Sequence, residues 1–317
     1  MAKLSHTRIQ SDIIYGMNDW YEAKKKVTIT FSHDYGKVVL MLTLLCLLLI
    51  ILSGLISLLA PKKLHVSFLD VGQGDAILIQ TPSGHDMLID GGADKRVLEH
   101  LVSRLGYFDR HLDVVVATHG DADHITGLIP ILEKYTVHRI IVSPVKSDTG
   151  IFDELEKRID DKGSIVHVAK KGDEIDFGDG VIAHIVHPAY NFQKGNSNTN
   201  DASVSMVIIY GDNSVLLTGD LPSTYEASLL GGVLPRHVSI YKAGHHGSKY
   251  SSGNQLLSYI TPEYAVISAG KDNTYGHPDI DALTRLKAYS QEVISTVEKG
   301  TITFLIDGKS IQLETSK

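Results

Sequence analysis

Thr118-His-Gly-Asp-Ala-Asp-His124 follows without a break from the apolar run at residues 112–117. An apolar run that ends in alternating His and Asp is the pattern of a buried strand delivering metal ligands into a cleft. A lone histidine in a chain with 16 of them would read as an ordinary surface or core residue. Here His119, Asp121, Asp123 and His124 are separated only by the small residues Gly120 and Ala122. That density leaves the segment little to do except hold metal, and it predicts a metalloenzyme.

Outward from this stretch the pattern is that of an α/β domain. Short apolar runs at 64–70, 76–81 and 86–90, broken by Gly-rich turns, predict a three-strand meander. Helix-period segments then alternate with strands: helix 95–105, strand 112–118, helix 127–135, strand 139–143 and helix 152–161. The second half repeats the theme, with strands at 165–168, 181–186, 203–210, 214–218, 238–242 and 265–268. Helices are predicted at 225–230, 254–260 and 279–289, and a hairpin at 301–306 and 310–314. Strands, then helices, then the same order again predict an αββα sandwich, two mixed β-sheets packed face to face with helices outside. The polar stretch 189–202 reads as a loop, and loops of that length are commonly functional.

More ligand-type residues fall at the ends of apolar runs: Asp220 in Leu-Leu-Thr-Gly-Asp, the pair His245 and His246, and His187 in Ile-Val-His-Pro. Strand ends converging on one rim of a sandwich make a cleft. With these pieces in order, the chain resembles the metallo-β-lactamase fold superfamily over 64–313, and within it the soluble domain of ComEC-type DNA-uptake channel proteins. The resemblance is carried by Phe68-Leu-Asp-Val-Gly-Gln-Gly-Asp75, Leu88-Ile-Asp-Gly-Gly92 and Thr118-His-Gly-Asp-Ala-Asp-His-Ile-Thr-Gly127. Thr218-Gly-Asp220, His245-His-Gly-Ser248 and Tyr275-Gly-His-Pro278 complete it. Singly these are weak; in this order and spacing they are specific.

The resemblance implies two divalent metal ions about 3.5 to 4 Å apart. His119 and Asp121 would hold the first, Asp123 and His124 the second, and Asp220 would bridge them. One of His245 and His246 should complete the second site; His246 is favoured, with the other facing substrate. Asp90 would orient a ligand from behind. The family commonly has His where this chain has Asp121, a harder donor that shifts preference from zinc toward manganese. The third ligand of the first site stays open between His187 and Asn200-Asp201.

Two such ions lower the pKa of bound water from about 15.7 toward about 7 and neutralise charge on a phosphoryl transition state, which is hydrolysis chemistry. A bridging hydroxide would be the nucleophile, with Asp123 or Asp220 accepting its proton. His245 or His277 would protonate the leaving group. Lys242, Ser248, Lys249 and the loop at 191–200 are candidate phosphate contacts. Asp70 and Asp75 either reach the cleft or simply organise the Gly-Gln-Gly turn, and Gly72, Gly74, Gly91 and Gly92 read as turn residues.

Composition bounds the rest. The 317 residues, 43% of them apolar, suffice for one large domain and an appendage, and the net charge of −7 argues against a general polyanion binder. No basic patch is visible in the sequence, so any nucleic acid must be held by a local patch or by metal. Residues 38–60 carry no charge for 23 positions and predict a transmembrane helix. The organisation expected is thus a polar cytoplasmic tail at 1–37, the helix at 38–60 and the hydrolase domain at 64–317. Lys24, Lys25, Lys26 and Lys37 outnumber Lys62 and Lys63 across the helix, which favours a single-pass protein of the cell membrane with its C-terminal domain outside. The lone Cys46 lies in the helix, where no intrachain disulfide can form.

The first expectation for the substrate is a phosphodiester of DNA; cell-surface phosphodiesters such as teichoic-acid substituents are second. ComEC-type proteins carry many transmembrane segments and this sequence reads as one, so the resemblance implies association with a separate transport channel rather than transport itself. A non-catalytic, metal-stabilised binding module is the alternative of a different class. A β-lactam substrate does not follow from the fold.

Overall fold

A computed structural model describes residues 33–59, 62–189, 192 and 198–317. Outside the described residues lie the expected tail residues Tyr15, Trp20, Tyr21, Lys24, Lys25, Lys26 and Phe31, together with 191 and 193–197 of the expected phosphate-contact loop. The chain divides into two units, residues 1–60 and 61–317.

The first unit contributes helix α1 (His33–Leu59), which begins five residues before the apolar run predicted from 38. Its 27 residues span about 40 Å. Every side chain over Tyr35–Leu55 is exposed, so this helix has no polar face to offer water and is long and apolar enough to cross a bilayer.

The second unit is built on fifteen strands among the described residues. They are β1 (Leu64–Phe68), β2 (Ile77–Gln80), β3 (Asp86–Ile89), β4 (His111–Ala117), β5 (Thr136–Val142), β6 (Ile165–Val168), β7 (Glu174–Asp176) and β8 (Val181–His187). There follow β9 (Ser205–Tyr210), β10 (Asn213–Leu217), β11 (Ile240–Lys242), β12 (Tyr264–Ile267), β13 (Glu292–Ser295), β14 (Ile302–Ile306) and β15 (Ile311–Thr315). One sheet runs β15-β14-β1-β2-β3-β4-β5-β6, the other β13-β12-β11-β10-β9-β8-β7. Each is mixed, with β3 to β6 parallel in the first and β10 to β13 parallel in the second. The expected αββα sandwich of the metallo-β-lactamase fold is what forms.

The apolar runs are nearly continuous because these strands are buried on both faces. Val66 and Phe68 of β1, Met206 and Ile208 of β9 and Val215 of β10 meet in a core between the sheets. On the outer face of the first sheet Leu88, Val115 and Ile140 pack against helices α2 (Arg96–Leu105), α3 (Ala122–Ile125), α4 (Leu128–Lys134) and α5 (Gly150–Lys162). Val97 and Leu101 anchor α2 there, each fully buried and each contributing about 1.5–3 kcal/mol. The second sheet's outer face carries α6 (Ser223–Glu226), α7 (Asn254–Ile260), α8 (Ile280–Tyr289) and α9 (Thr296–Lys299), with Leu256, Leu257 and Leu286 against Leu216 and Tyr241.

Two strands were not expected. β7 and β13 are the outer strands of the second sheet; β7 is polar and largely exposed, and β13 has only the adjacent pair Val293-Ile294 between Glu292 and Ser295, so neither carries the apolar alternation that announces a strand. The glycines expected as turn residues also have a second use. Gly91 N–H donates to His124 O (2.7 Å) and Gly127 N–H to Gly92 O (3.0 Å), so the segment after β3 lies backbone to backbone with the ligand segment. A Cβ at Gly127 would stand 1.9 Å from Gly91 O, closer than atoms can approach.

Gly127→Ala is therefore expected to destabilise the fold by about 1–3 kcal/mol, the usual cost of overpacking. Gly150→Ala, at a site with nothing within 4 Å, should be neutral. Urea unfolding reads the difference as a lower midpoint at unchanged slope for the first variant.

Candidate metal centre

Parallel strands bring their C-terminal ends to one rim, and the ligand-type residues sit just beyond those ends: Asp90 after β3, His119 to His124 after β4, Asp220 after β10 and His245-His246 after β11. Asp90 takes the left-handed conformation (φ 58°). Its carboxylate accepts Thr118 N–H (2.8 Å), Thr118 Oγ1–H (2.7 Å) and, at 2.7 Å, the Nδ1 of His124. The bond fixes the His124 tautomer and leaves Nε2 for the cleft. His245 and His246 are both left-handed as well (φ 49° and 53°), a costly run for non-glycine residues that concentrates at functional sites.

Asp220 is the shared member of the group. Its Oδ2 lies 3.3 Å from His124 Nε2, 3.4 Å from His246 Nε2, 3.5 Å from His245 Nε2 and 4.0 Å from His119 Nε2. Asp121 Oδ2 is 3.7 Å from His119 Nε2, and Asp123 Oδ2 is 3.3 Å from His246 Nε2. Asp75, His124, Asp220 and His246, all buried, present ligand atoms within 4.8 Å of one another.

The electrostatics follow from this crowding. Burial alone would raise the Asp220 carboxyl, but His246 and His124 hold it well below the ordinary carboxylate range. Burial likewise opposes charge on His124 and His246, yet Asp220, with Asp90 on the first and Asp75 on the second, lifts both well above the usual imidazole value. Burial and the neighbouring His124 depress His119. Among the described residues, buried His119 Nε2 and Asp220 Oδ1 find no hydrogen-bond partner. Unpaired buried polar atoms are costly, and a set of imidazole nitrogens and carboxylate oxygens facing one another is the donor chemistry that divalent cations relieve.

Three expectations are corrected. His187 does not join the group: its Nε2 lies 2.9 Å from the Asp201 carbonyl and its Nδ1 3.1 Å from Ser228 Oγ, and burial pushes its pKa down to about 4. Asp201, the other candidate, lies beside Tyr225 OH (3.3 Å). His245, expected to face substrate, is about a third exposed and also comes within 3.5 Å of Asp220 Oδ2. Lys242 is no phosphate contact. It is fully buried with its Nζ 2.6 Å from Asp75 Oδ2, and Asp75 Oδ1 is in turn 3.4 Å from His246 Nδ1. Burial opposes the Asp75 charge, but Lys242 and His246 hold its pKa at about 2.

His277 stands at the mouth, its ring 5.6 Å from that of His245, its backbone tied to Asn273. Ser248 is buried and Lys249 lies over the Tyr250 ring. Gln73 was not anticipated: its Nε2 is 3.5 Å from Asp123 Oδ2 and its Oε1 accepts Gly270 N–H (3.1 Å). The signal for Lys242 was legible, since a lysine within an apolar strand needs a buried counter-ion. Gln73 lies inside the quoted Gly-Gln-Gly segment, where only its aspartate and glycine neighbours were read for a role.

The family model of the metallo-beta-lactamase superfamily matches residues 69–271. ComE operon protein 3 of Bacillus subtilis is 28% identical over 260 residues, covering 76% of this chain and 33% of that protein. Competence protein ComA of Neisseria gonorrhoeae is 30% identical over 243 residues, 75% of this chain and 32% of that one. The chain thus spans about a third of the length of these relatives. Among solved structures, CmlA, a diiron beta-hydroxylase from Streptomyces venezuelae, shares the fold at a TM-score of 0.51 and 13% identity, over 78% of this chain and 55% of that one. A family match across more than half of the sequence, on a sandwich whose rim gathers the matching His and Asp residues, shows that the chain belongs to the metallo-beta-lactamase superfamily, with competence proteins of the ComEC type as its curated relatives.

Proposed function

We propose that the chain is a membrane-anchored, two-metal hydrolase of phosphodiesters. The observation that carries this reading is the single carboxylate oxygen of Asp220 with four imidazole Nε2 atoms 3.3 to 4.0 Å away. Such convergence suits a carboxylate shared between two cations. His119, Asp121 and His245 would serve one ion, Asp123, His124 and His246 the other. Zinc or manganese bound there supplies an activated water and neutralises charge developing on the phosphoryl group. Asp121 in place of an imidazole favours manganese.

The chain's own groups do the rest. Asp123 and Asp220 are the carboxylates placed to take up the proton of the attacking water. His277 is held below its ordinary pKa by burial and by the nearby His245 and His246. At the mouth of the site it is the group placed to protonate the leaving group. The substrate of first choice is a phosphodiester of DNA, consistent with the competence relatives; a teichoic-acid-type phosphodiester is second. Working beside a transport channel supplied by another chain belongs to the same reading. So does a single-pass anchor through α1 with the C-terminal unit outside the cell, supported by the excess of lysines before the helix.

Full-length chain in detergent, stripped by chelator and reloaded, is expected to bind about two ions and hydrolyse bis(p-nitrophenyl) phosphate faster with manganese than with zinc. Asp220→Ala should lower kcat/KM by about 100-fold or more, and Asp90→Ala should weaken metal binding roughly 10- to 100-fold through the loss of His124 orientation. Stoichiometric metal without turnover would replace the hydrolase by a metal-stabilised binding module. For topology, external protease on whole cells is expected to remove a C-terminal tag; a protected tag would reverse the orientation.

A further inference from the structure

The sequence shows no basic patch, but folding gathers three cationic side chains, among carboxylates, in one pocket beside the metal centre. A pocket of about 430 Å³ is lined by Arg96, Lys271 and Lys317 together with Asp70 and Asp272, and by Gly72, Gln73 and Asn273. These residues come from four separate stretches of chain. The pocket and the metal centre share Gln73, whose side chain reaches Asp123 on one side and Gly270 on the other. One side chain therefore separates the pocket from a proposed metal ligand.

Its charge is partly uncommitted. Asp70 is neutralised by Lys317 (2.8 Å). Arg96 spends its Nε on Asp94 (2.9 and 3.0 Å), while its guanidinium lies beside Gly72. A Cβ at position 72 would stand 2.4 Å from Nη1, and the φ of +76° also calls for glycine, so the residue that makes the turn also makes room for the guanidinium. Among the described residues Lys271 has no carboxylate partner, Arg96 is paired through its Nε with Asp94, and the N–H groups of Gly72 and Gln73, both lining the pocket, have no acceptor. A guanidinium, an ammonium and two backbone N–H groups without an acceptor around one concavity form an anion site, and the guanidinium's planar fork suits phosphate oxygens.

We infer that this pocket binds a second phosphate of a phosphodiester chain whose neighbouring phosphate lies at the metals. The inference rests on the phosphodiesterase reading and narrows it to polymers: a small phosphodiester has no second phosphate to place here. Gln73 then spans the two phosphate positions, and Asp272 sets a limit on affinity by its like charge.

The test is binding of fluorescein-labelled dodecathymidylate to the full-length chain in detergent, in chelator and at low salt, read by anisotropy. Lys271→Ala, whose side chain is exposed, and Arg96→Gln are each expected to raise Kd about three- to tenfold. Each should lower the slope of log Kd against log salt by roughly 0.7, one phosphate contact to a single strand. Lys309→Ala, on the β14–β15 turn, should change neither. Displacement of the oligonucleotide by poly(glycerol phosphate) would assign the pocket to phosphodiester chains in general, and failure to displace it to nucleic acid strands. Unchanged Kd and slope in both pocket variants, or no binding by the wild type, would overturn the inference. Wild-type hydrolysis of bis(p-nitrophenyl) phosphate, measured alongside, judges the hydrolase reading separately: binding without turnover keeps the pocket and removes the hydrolase, and turnover without binding does the reverse.

Discussion

The carboxylate of Asp90 joins the end of β3 to the segment that follows β4, and the geometry of the rim hangs on it. Its three contacts hold both ends of the ligand segment: Thr118 through N–H and Oγ1–H, and His124 through Nδ1. Thr118 Oγ1 in turn lies 2.9 Å from His119 Nδ1, so one buried carboxylate orients two imidazoles by different routes. Imidazoles that face a common carboxylate repel one another when charged and would swing away if untethered. Tethering from behind is what lets four of them converge on Asp220.

Convergence also demands that three backbone segments approach more closely than side chains permit. The stretch after β3 bonds to His124 and Gly127 through Gly91 and Gly92, and Gly92 N–H also reaches Asp75 O (2.8 Å). Glycine at these points replaces side-chain packing by direct backbone hydrogen bonds, which are shorter-range and more rigid. The ligands on the docked segments are thereby held by main chain as well as by their own partners.

Much of this was legible in the residues. The strands buried on both faces announced themselves as apolar runs, and the rim residues His119, Asp121, Asp123, His124, Asp220 and His246 stood at the ends of those runs. What escaped was whatever depends on contacts between distant segments. β7 and β13 are outer strands of three and four residues with no apolar alternation, too short for the pattern to show. His187 looks like a ligand by type and position, yet its ring nitrogens lie against Ser228 and the Asp201 carbonyl. The pocket at Arg96 and Lys271 is built from residues 175 positions apart, so no window of sequence contains it.

The pair Asp75–Lys242 has a different consequence. Both side chains are sealed from water, and removing either partner from a buried pair costs about 3–5 kcal/mol, whereas exchanging both for apolar residues is often nearly neutral to the fold. Asp75 also faces His246 Nδ1, whose hydrogen bond goes to the Ser268 carbonyl (3.0 Å), so the exchange preserves folding and removes a carboxylate charge from behind a rim histidine. The two positions therefore act as one unit: the fold tolerates their joint exchange far better than the loss of either alone.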